Sequence, residues 1–296
     1  MVVEVNGLAY PRHVTEEVDL LSRALGAAGR VYLFLDYDGT LVSGPRGDAI
    51  RPRHSVIRRL TQLSEVESFS VFIMSGRPVE ELRRLVGIPT LGYIGQRGFE
   101  ISMPGRPVLH PVEGETAASV LHHVELEAHR ALESLGGIEI ENRGYGLVLH
   151  TADADRDVAS DAIQRFTATV RRVDTASSLE VLYGDGVVEA RMAGWGKGDA
   201  LIHILREADV DSALAIYVGD DVTDEDAFEA VAMWADDGEP EVPWFASAEE
   251  GEDIPGAVGI LVANRPRPTG AELFVRDPQE VYEFLSSLSA IASTLF

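Results

Sequence analysis

The chain has 296 residues, 45% of them hydrophobic and 25% charged, the composition of a soluble globular protein with core enough for one large domain or two ordinary ones. Its 25 basic residues face 49 acidic ones, a net charge of −24, which repels nucleic acid and anionic membrane and excludes both as expected partners. Cysteine is absent, so disulfides and thiolate metal sites are excluded, and no apolar run is long enough to span a bilayer.

Residues 1–11 carry no basic run ahead of an apolar stretch, so no export signal is expected and the cytoplasm is the expected compartment. Residues 15–29 read as an amphipathic helix opened by Thr15 and closed by Gly29. Residues 31–35 form the nearly all-apolar run expected of a central parallel strand covered on both faces. Periodicity predicts a helix over 53–64, a second buried strand over 69–74, a helix over 78–86 and a third strand over 91–95. Strands alternating with helices predict an α/β domain with a parallel sheet.

The rhythm changes near residue 105. A long helix over 115–134, strands over 138–141 and 146–150, a helix over 155–172, and strands over 179–183 and 187–191 make an α+β block. Gly184-Asp185-Gly186 is its second hairpin turn. The α/β rhythm then resumes with a helix from Lys197, a strand over 213–218, a helix from Asp224, short strands and a helix from Pro278. The economical organisation is a discontinuous α/β catalytic core, residues 1–104 and 193–296, interrupted by an inserted α+β domain, residues 105–192.

Four segments place polar groups at strand ends or helix starts. Asp36-Tyr-Asp38-Gly-Thr40 follows the first buried strand, where open α/β sheets bind ligands. Two carboxylates spaced by two can address one point, hold a divalent cation, attack phosphorus and shuttle a proton. A plain strand-to-loop turn explains Asp and Gly there too. Ser75-Gly76-Arg77-Pro78 ends the second strand and offers a hydroxyl and helix N–H groups to a phosphate, although the same residues make a good helix start.

Lys197, the single lysine of the chain, opens a helix and can neutralise both a phosphate and Asp36. Asp220, Asp221, Asp224, Glu225 and Asp226 crowd one strand end. Helix capping accounts for Asp224 and Glu225; Asp220 and Asp221 are better explained by a Mg²⁺ site.

The order DxDGT, SGR, Lys, GDDxTDED resembles the haloacid dehalogenase (HAD) superfamily of phosphotransferases. Within it, Glu141-Asn-Arg143, His150 and the tail Asp277-Pro-Gln-Glu-Val281 are similar to the trehalose-6-phosphate phosphatases. The resemblance spans residues 31–288. It implies a HAD-like Rossmannoid core with an inserted cap that selects the sugar, and a small phosphorylated disaccharide as substrate. It implies Asp36 as nucleophile, Asp38 as acid and base, and Lys197 as the third catalytic group. Thr40, Ser75, Gly76 and Arg77 would bind the phosphoryl group. Asp36, the Asp38 backbone carbonyl, Asp220, Asp221 and Asp224 would serve the Mg²⁺ cofactor. Arg97, Glu100, Glu141, Arg143 and His150 would meet the sugar.

The family's Gly-x-His-Gly-x-Glu stands here as Gly95-Gln96-Arg97-Gly98-Phe99-Glu100, its Glu-Asn-Lys as Glu141-Asn142-Arg143, and Ala152 replaces a basic residue two positions after the His. Arginine for lysine keeps charge and changes geometry, so glucosyl- or mannosyl-3-phosphoglycerate and sucrose 6-phosphate are alternative substrates. A non-catalytic sugar-phosphate-binding regulatory domain is the alternative of another class. His122, His123, Glu125 and His129 read as the solvated face of a helix rather than a metal cluster. Arg46-Gly47-Asp48 reads as a loop.

Overall fold

The computed structural model describes residues 9–44, 50–111, 114–184, 186–206, 213–235 and 256–295, with the side chains of 114–118, 235 and 295 outside that description. The Arg46-Gly47-Asp48 tripeptide and Asp185 of the predicted hairpin turn lie outside the described residues. Met1–Leu109 with Gly196–Phe296 form one compact unit, and His110–Trp195 form another.

The first unit is built on an eight-stranded sheet. Its strands are β1 (Arg12–His13), β2 (Arg30–Asp36), β3 (Phe69–Met74), β4 (Gly92–Gly95), β5 (Glu100–Ser102), β10 (Ala213–Gly219), β11 (Ala257–Val262) and β12 (Leu273–Val275). Their order is β1-β12-β11-β10-β2-β3-β4-β5, parallel throughout except for the antiparallel β4–β5 pair. Residues 31–35 and all of β10 and β11 are buried. That is why they are continuous apolar runs: each central strand is covered on both faces. Phe34 stacks on Phe72 at 4.9 Å between β2 and β3. The helices are α1 (Val18–Ala27), α2 (His54–Ser64), α3 (Val79–Val86), α6 (Lys197–Leu205), α7 (Glu225–Ala235) and α8 (Pro278–Leu295). α3 ends on Gly87 in the left-handed region, φ 72°, the usual glycine stop.

The second unit carries α4 (Gly114–Leu132), β6 (Glu139–Asn142), β7 (Gly146–His150), α5 (Arg156–Val173), β8 (Leu179–Gly184) and β9 (Val187–Met192). Its sheet has the order β6-β7-β9-β8 and is antiparallel throughout. Leu147, Leu149, Ala162, Phe166 and Val124 are fully buried and supply its core.

Sequence expectation and structure differ at three places. Thr15 does not open α1. It sits in a 3-10 turn, Val14–Glu16, where its Oγ1 pairs with His13 Nδ1 at 2.8 Å, and α1 begins at Val18. The helix expected from Asp224 is delayed by a 3-10 turn, Val222–Asp224, because the Asp224 carboxylate turns back to accept the Asp220 and Asp221 N–H groups, both at 2.9 Å. Edge strands β1 and β5 went unread because two or three residues carry no periodicity.

Candidate active site

Strand register assembles the site. Leu35 pairs with Val218 and Asp36 pairs with Met74, so Asp36, Ser75 and the Gly219-Asp220 turn leave the sheet at one level. In the strand order, β2 separates the strands that follow it directly from β10 and its neighbours. The site therefore lies at the switch point where open α/β sheets bind ligands. Gly39 (φ 95°) closes the turn after Asp38; a side chain there would fall inside the Asp220 carboxylate.

Lys197, the first residue of α6, is 4% exposed. Its Nζ donates to Asp36 Oδ1 at 2.6 Å and to Asp224 Oδ1 at 2.5 Å. The helix start is fixed by Asp199, which accepts the Gly196 N–H at 2.8 Å. Burial drives the Asp36 carboxyl well above the ordinary range; Lys197 opposes this, while the Asp224 and Asp220 charges add to it. Burial also works to lower Lys197, but Asp224 and Asp36 outweigh it and hold the ammonium above its ordinary value.

Asp36, Asp220 and Asp224 bring carboxylate oxygens within 4.8 Å of one another, the one such group of three or more among the described residues. Three carboxylates beside one lysine leave an excess of negative charge. An all-oxygen donor set of that kind suits a hard divalent cation. Asp221 does not join the group: its side chain caps the 3-10 turn through Val222 N at 2.7 Å.

Asp38 is held apart from this cluster by Arg77. Arg77 Nη2 donates to Asp38 Oδ1 at 2.7 Å and Nε to Oδ2 at 2.8 Å. Ser75 Oγ accepts the Arg77 N–H at 3.2 Å and reaches Asp38 Oδ2 at 3.4 Å. Thr40 is fully buried, and its hydroxyl has no hydrogen-bond partner among the described residues. Gly76 leaves its neighbour Arg97 in ordinary contact range, 3.6 Å from where a Cβ would stand.

Arg97 has left-handed backbone, φ 56°, and its N–H donates to Ser75 O at 2.9 Å. The same turn lies against the start of α6, since a side chain at Gly98 would meet Gly196 O. Glu100 accepts the Val79 N–H at 2.7 Å and so caps α3. In the second unit, Glu141 Oε2 accepts from Arg143 Nη2 at 2.7 Å and pairs with His150 Nε2 at 2.9 Å. The Arg143 hydrogen bond leads in holding the Glu141 carboxyl below its ordinary value, with His150 assisting against burial. His122, His123, Glu125 and His129 of α4 form no three-ligand group among the described residues.

Three contributors went unread in the sequence. Tyr217, in the middle of β10, donates its hydroxyl to Asp224 Oδ1 at 2.6 Å. Glu81 accepts from Arg77 Nη1 at 2.5 Å, and the Tyr37 ring lies 5.7 Å from the Arg77 guanidinium. A tyrosine inside an all-buried strand was the available signal for the first; an acid four residues after Arg77 was the signal for the second.

Residues 34–249 match the family model described as Trehalose-phosphatase. The chain is 31% identical to the trehalose-phosphate phosphatase of Mycobacterium marinum, across 99% of this chain and 71% of that relative. Its fold is similar to the C-terminal domain of C. albicans trehalose-6-phosphate phosphatase, with a TM-score of 0.76 at 21% identity, covering 96% of this chain and 99% of that one. It is also similar to the C-terminal domain of the Candida albicans trehalose synthase regulatory protein, with a TM-score of 0.68 at 15% identity, covering 94% and 98%. At those identities the structural likenesses speak for the fold alone.

Proposed function

The chain belongs to the trehalose-phosphatase family, and on that premise we propose that it hydrolyses trehalose 6-phosphate to trehalose and phosphate. The observation that carries the proposal is Lys197 Nζ bridging Asp36 and Asp224 at 2.6 and 2.5 Å beside a separately held Asp38.

Asp36 is the nucleophile. One of its oxygens attacks phosphorus, the bond from phosphorus to the sugar oxygen breaks, and Asp38 gives that oxygen its proton. Water then attacks the aspartyl-phosphate while Asp38 takes a proton from it, and phosphate leaves Asp36 free. Lys197 keeps Asp36 oriented and offsets charge at the reacting group. Ser75 and Thr40 offer hydroxyls to the phosphoryl oxygens; the Thr40 hydroxyl, without a partner among the described residues, supports that role for it. Asp36, Asp220 and Asp224 would hold Mg²⁺, which supplies positive charge to the phosphoryl oxygens when bound. We read the second unit as the sugar-selecting domain, its Glu141, Arg143 and His150 offering hydrogen-bonding groups to sugar hydroxyls. No helix among the described residues is long and apolar enough to cross a membrane, and we take the cytoplasm as the compartment.

Two other readings are weighed against this one. A phosphoglycerate-bearing substrate would suit an extra guanidinium, but Arg143 is already paired with Glu141. The regulatory-domain reading is opposed by the intact set Asp36, Asp38 and Lys197. A panel of trehalose 6-phosphate, sucrose 6-phosphate, glucosyl- and mannosyl-3-phosphoglycerate and glucose 6-phosphate, assayed for phosphate release with Mg²⁺, separates all three. Preference for trehalose 6-phosphate is the expected outcome. Preference for a phosphoglycerate changes the substrate, and release from none favours the regulatory reading.

A further inference from the structure

We propose that Arg77 is a positioning residue for Asp38 rather than a ligand of the phosphoryl group. The inference rests on the phosphatase reading above and assigns a role within that site.

The guanidinium is committed in three directions. Nη2 and Nε grip the two oxygens of Asp38 at 2.7 and 2.8 Å, and Nη1 is taken by Glu81 at 2.5 Å. The Tyr37 ring lies 5.7 Å from the guanidinium carbon, and Tyr37 is itself tied down by its hydroxyl, which donates to Ile50 O at 2.6 Å. Arg77 is 8% exposed. Its backbone is fixed as well: the N–H donates to Ser75 Oγ, and the carbonyl accepts from Gln96 N at 2.9 Å. Two residues on, Glu100 caps the Val79 N–H, so Arg77 stands on a capped helix start.

A bidentate fork does what a point charge cannot. It fixes both the place and the plane of a carboxylate, because two parallel N–H···O bonds leave no freedom about the Cβ–Cγ bond. Asp38 follows a buried strand but is itself only half-buried and precedes a left-handed glycine. Without the fork, the long 3.4 Å contact from the Ser75 hydroxyl is the hydrogen bond left to its side chain among the described residues. The fork holds both Asp38 oxygens in one place and plane for its part in proton transfer to the leaving sugar oxygen and from the incoming water. Glu81 offsets the remaining guanidinium charge and anchors the fork's far side.

The role makes a prediction that phosphate binding does not. Leaving-group protonation matters for a sugar alkoxide and matters little for an activated aryl leaving group such as p-nitrophenolate. Arg77→Ala should therefore lower kcat/KM for trehalose 6-phosphate by about 100-fold. It should lower kcat/KM for p-nitrophenyl phosphate by less than about 3-fold, since that constant ends with departure of the aryl group. Arg77→Lys restores charge without the fork and should remain as impaired as Arg77→Ala on the sugar phosphate.

Equal losses on both substrates, with rescue by lysine, would make Arg77 a phosphoryl ligand and overturn the proposal. Unchanged kinetics with only a lowered melting temperature would make it structural and overturn it too. Should Arg77→Ala fail to fold, Glu81→Gln should show the same leaving-group selectivity with a smaller loss, and the absence of selectivity there would overturn the proposal. Wild-type enzyme inert on both substrates would overturn the phosphatase reading and this proposal with it, whereas equal losses leave the phosphatase reading standing.

Discussion

Tyr217 donates its hydroxyl to Asp224 Oδ1, the same oxygen that accepts from Lys197. The tyrosine is fully buried in β10 and packs edge-on against Phe228 at 5.4 Å. Its burial, together with the nearby Asp224 charge, pushes the phenol well above its ordinary value and keeps it a donor. Asp224 is thus held by two donors on one oxygen and by two backbone N–H groups on the other, and through it the ammonium facing Asp36 is fixed.

Tyr217→Phe removes one donor from a buried carboxylate while preserving the ring packing. The expected stability loss is about 1.5–3 kcal/mol, the range for hydrogen bonds to charged groups. Urea unfolding of the variant beside wild type reads it directly. A midpoint equal to wild type would mean that the hydroxyl contributes nothing to holding Asp224.

Lys197→Met keeps the length of the side chain and strips the positive charge from between Asp36 and Asp224. Leaving buried carboxylates uncompensated costs about 3–5 kcal/mol, so a lowered melting temperature should accompany loss of turnover. A variant that is as stable as wild type yet inactive would confine the lysine to chemistry and remove its structural role.

Metal binding to Asp36, Asp220 and Asp224 should stabilise the folded chain without any substrate present. At a free Mg²⁺ concentration of about 100 Kd the gain is about 2.7 kcal/mol. Asp220→Asn removes one carboxylate and should blunt the rise in melting temperature. An identical Mg²⁺ response in wild type and variant would place the ion elsewhere.

Acid stability should depend on Asp174, which closes α5. Burial opposes ionisation there, but Ser178 Oγ at 2.6 Å, Ser178 N at 3.0 Å and Leu179 N at 2.7 Å overcome it and hold the carboxyl below its ordinary value. A carboxyl lowered on folding contributes stability above its unfolded value of about 4, and that contribution is lost as pH falls through the folded value. Asp174→Ala should therefore be less stable than wild type at neutral pH, with the gap closing in acid. A gap that stays constant from neutral pH into acid would show that the charge of Asp174 plays no part.

Much of this was legible in the sequence, for physical reasons that also mark the limit. Fully buried strands such as β2, β10 and β11 announce themselves as unbroken apolar runs, and polar residues at their ends stand out. That is how Asp36, Ser75, Lys197 and the Asp220–Asp224 group stand out as candidates from spacing and resemblance. Which carboxylate does what was not legible. Asp221 and Asp224 are equivalent in a string of acids, yet one caps a turn and the other is buried against Lys197, a distinction made by backbone direction. Glu100 and Arg77 read as substrate groups by resemblance. Here Glu100 caps α3 from the start of β5, and Arg77 is engaged with Asp38 and Glu81; the Glu100 and Asp38 contacts join residues far apart in sequence that only the folded sheet brings together. Tyr217 was invisible because a tyrosine in an apolar strand counts as core until its hydroxyl partner is known.

The most direct measurement of the central claim is phosphate release from trehalose 6-phosphate, with Mg²⁺, by wild type and Asp36→Asn side by side. The account predicts turnover by wild type and its abolition in the variant, with the fold retained by circular dichroism. Equal release by the two proteins, or none from either, would contradict it.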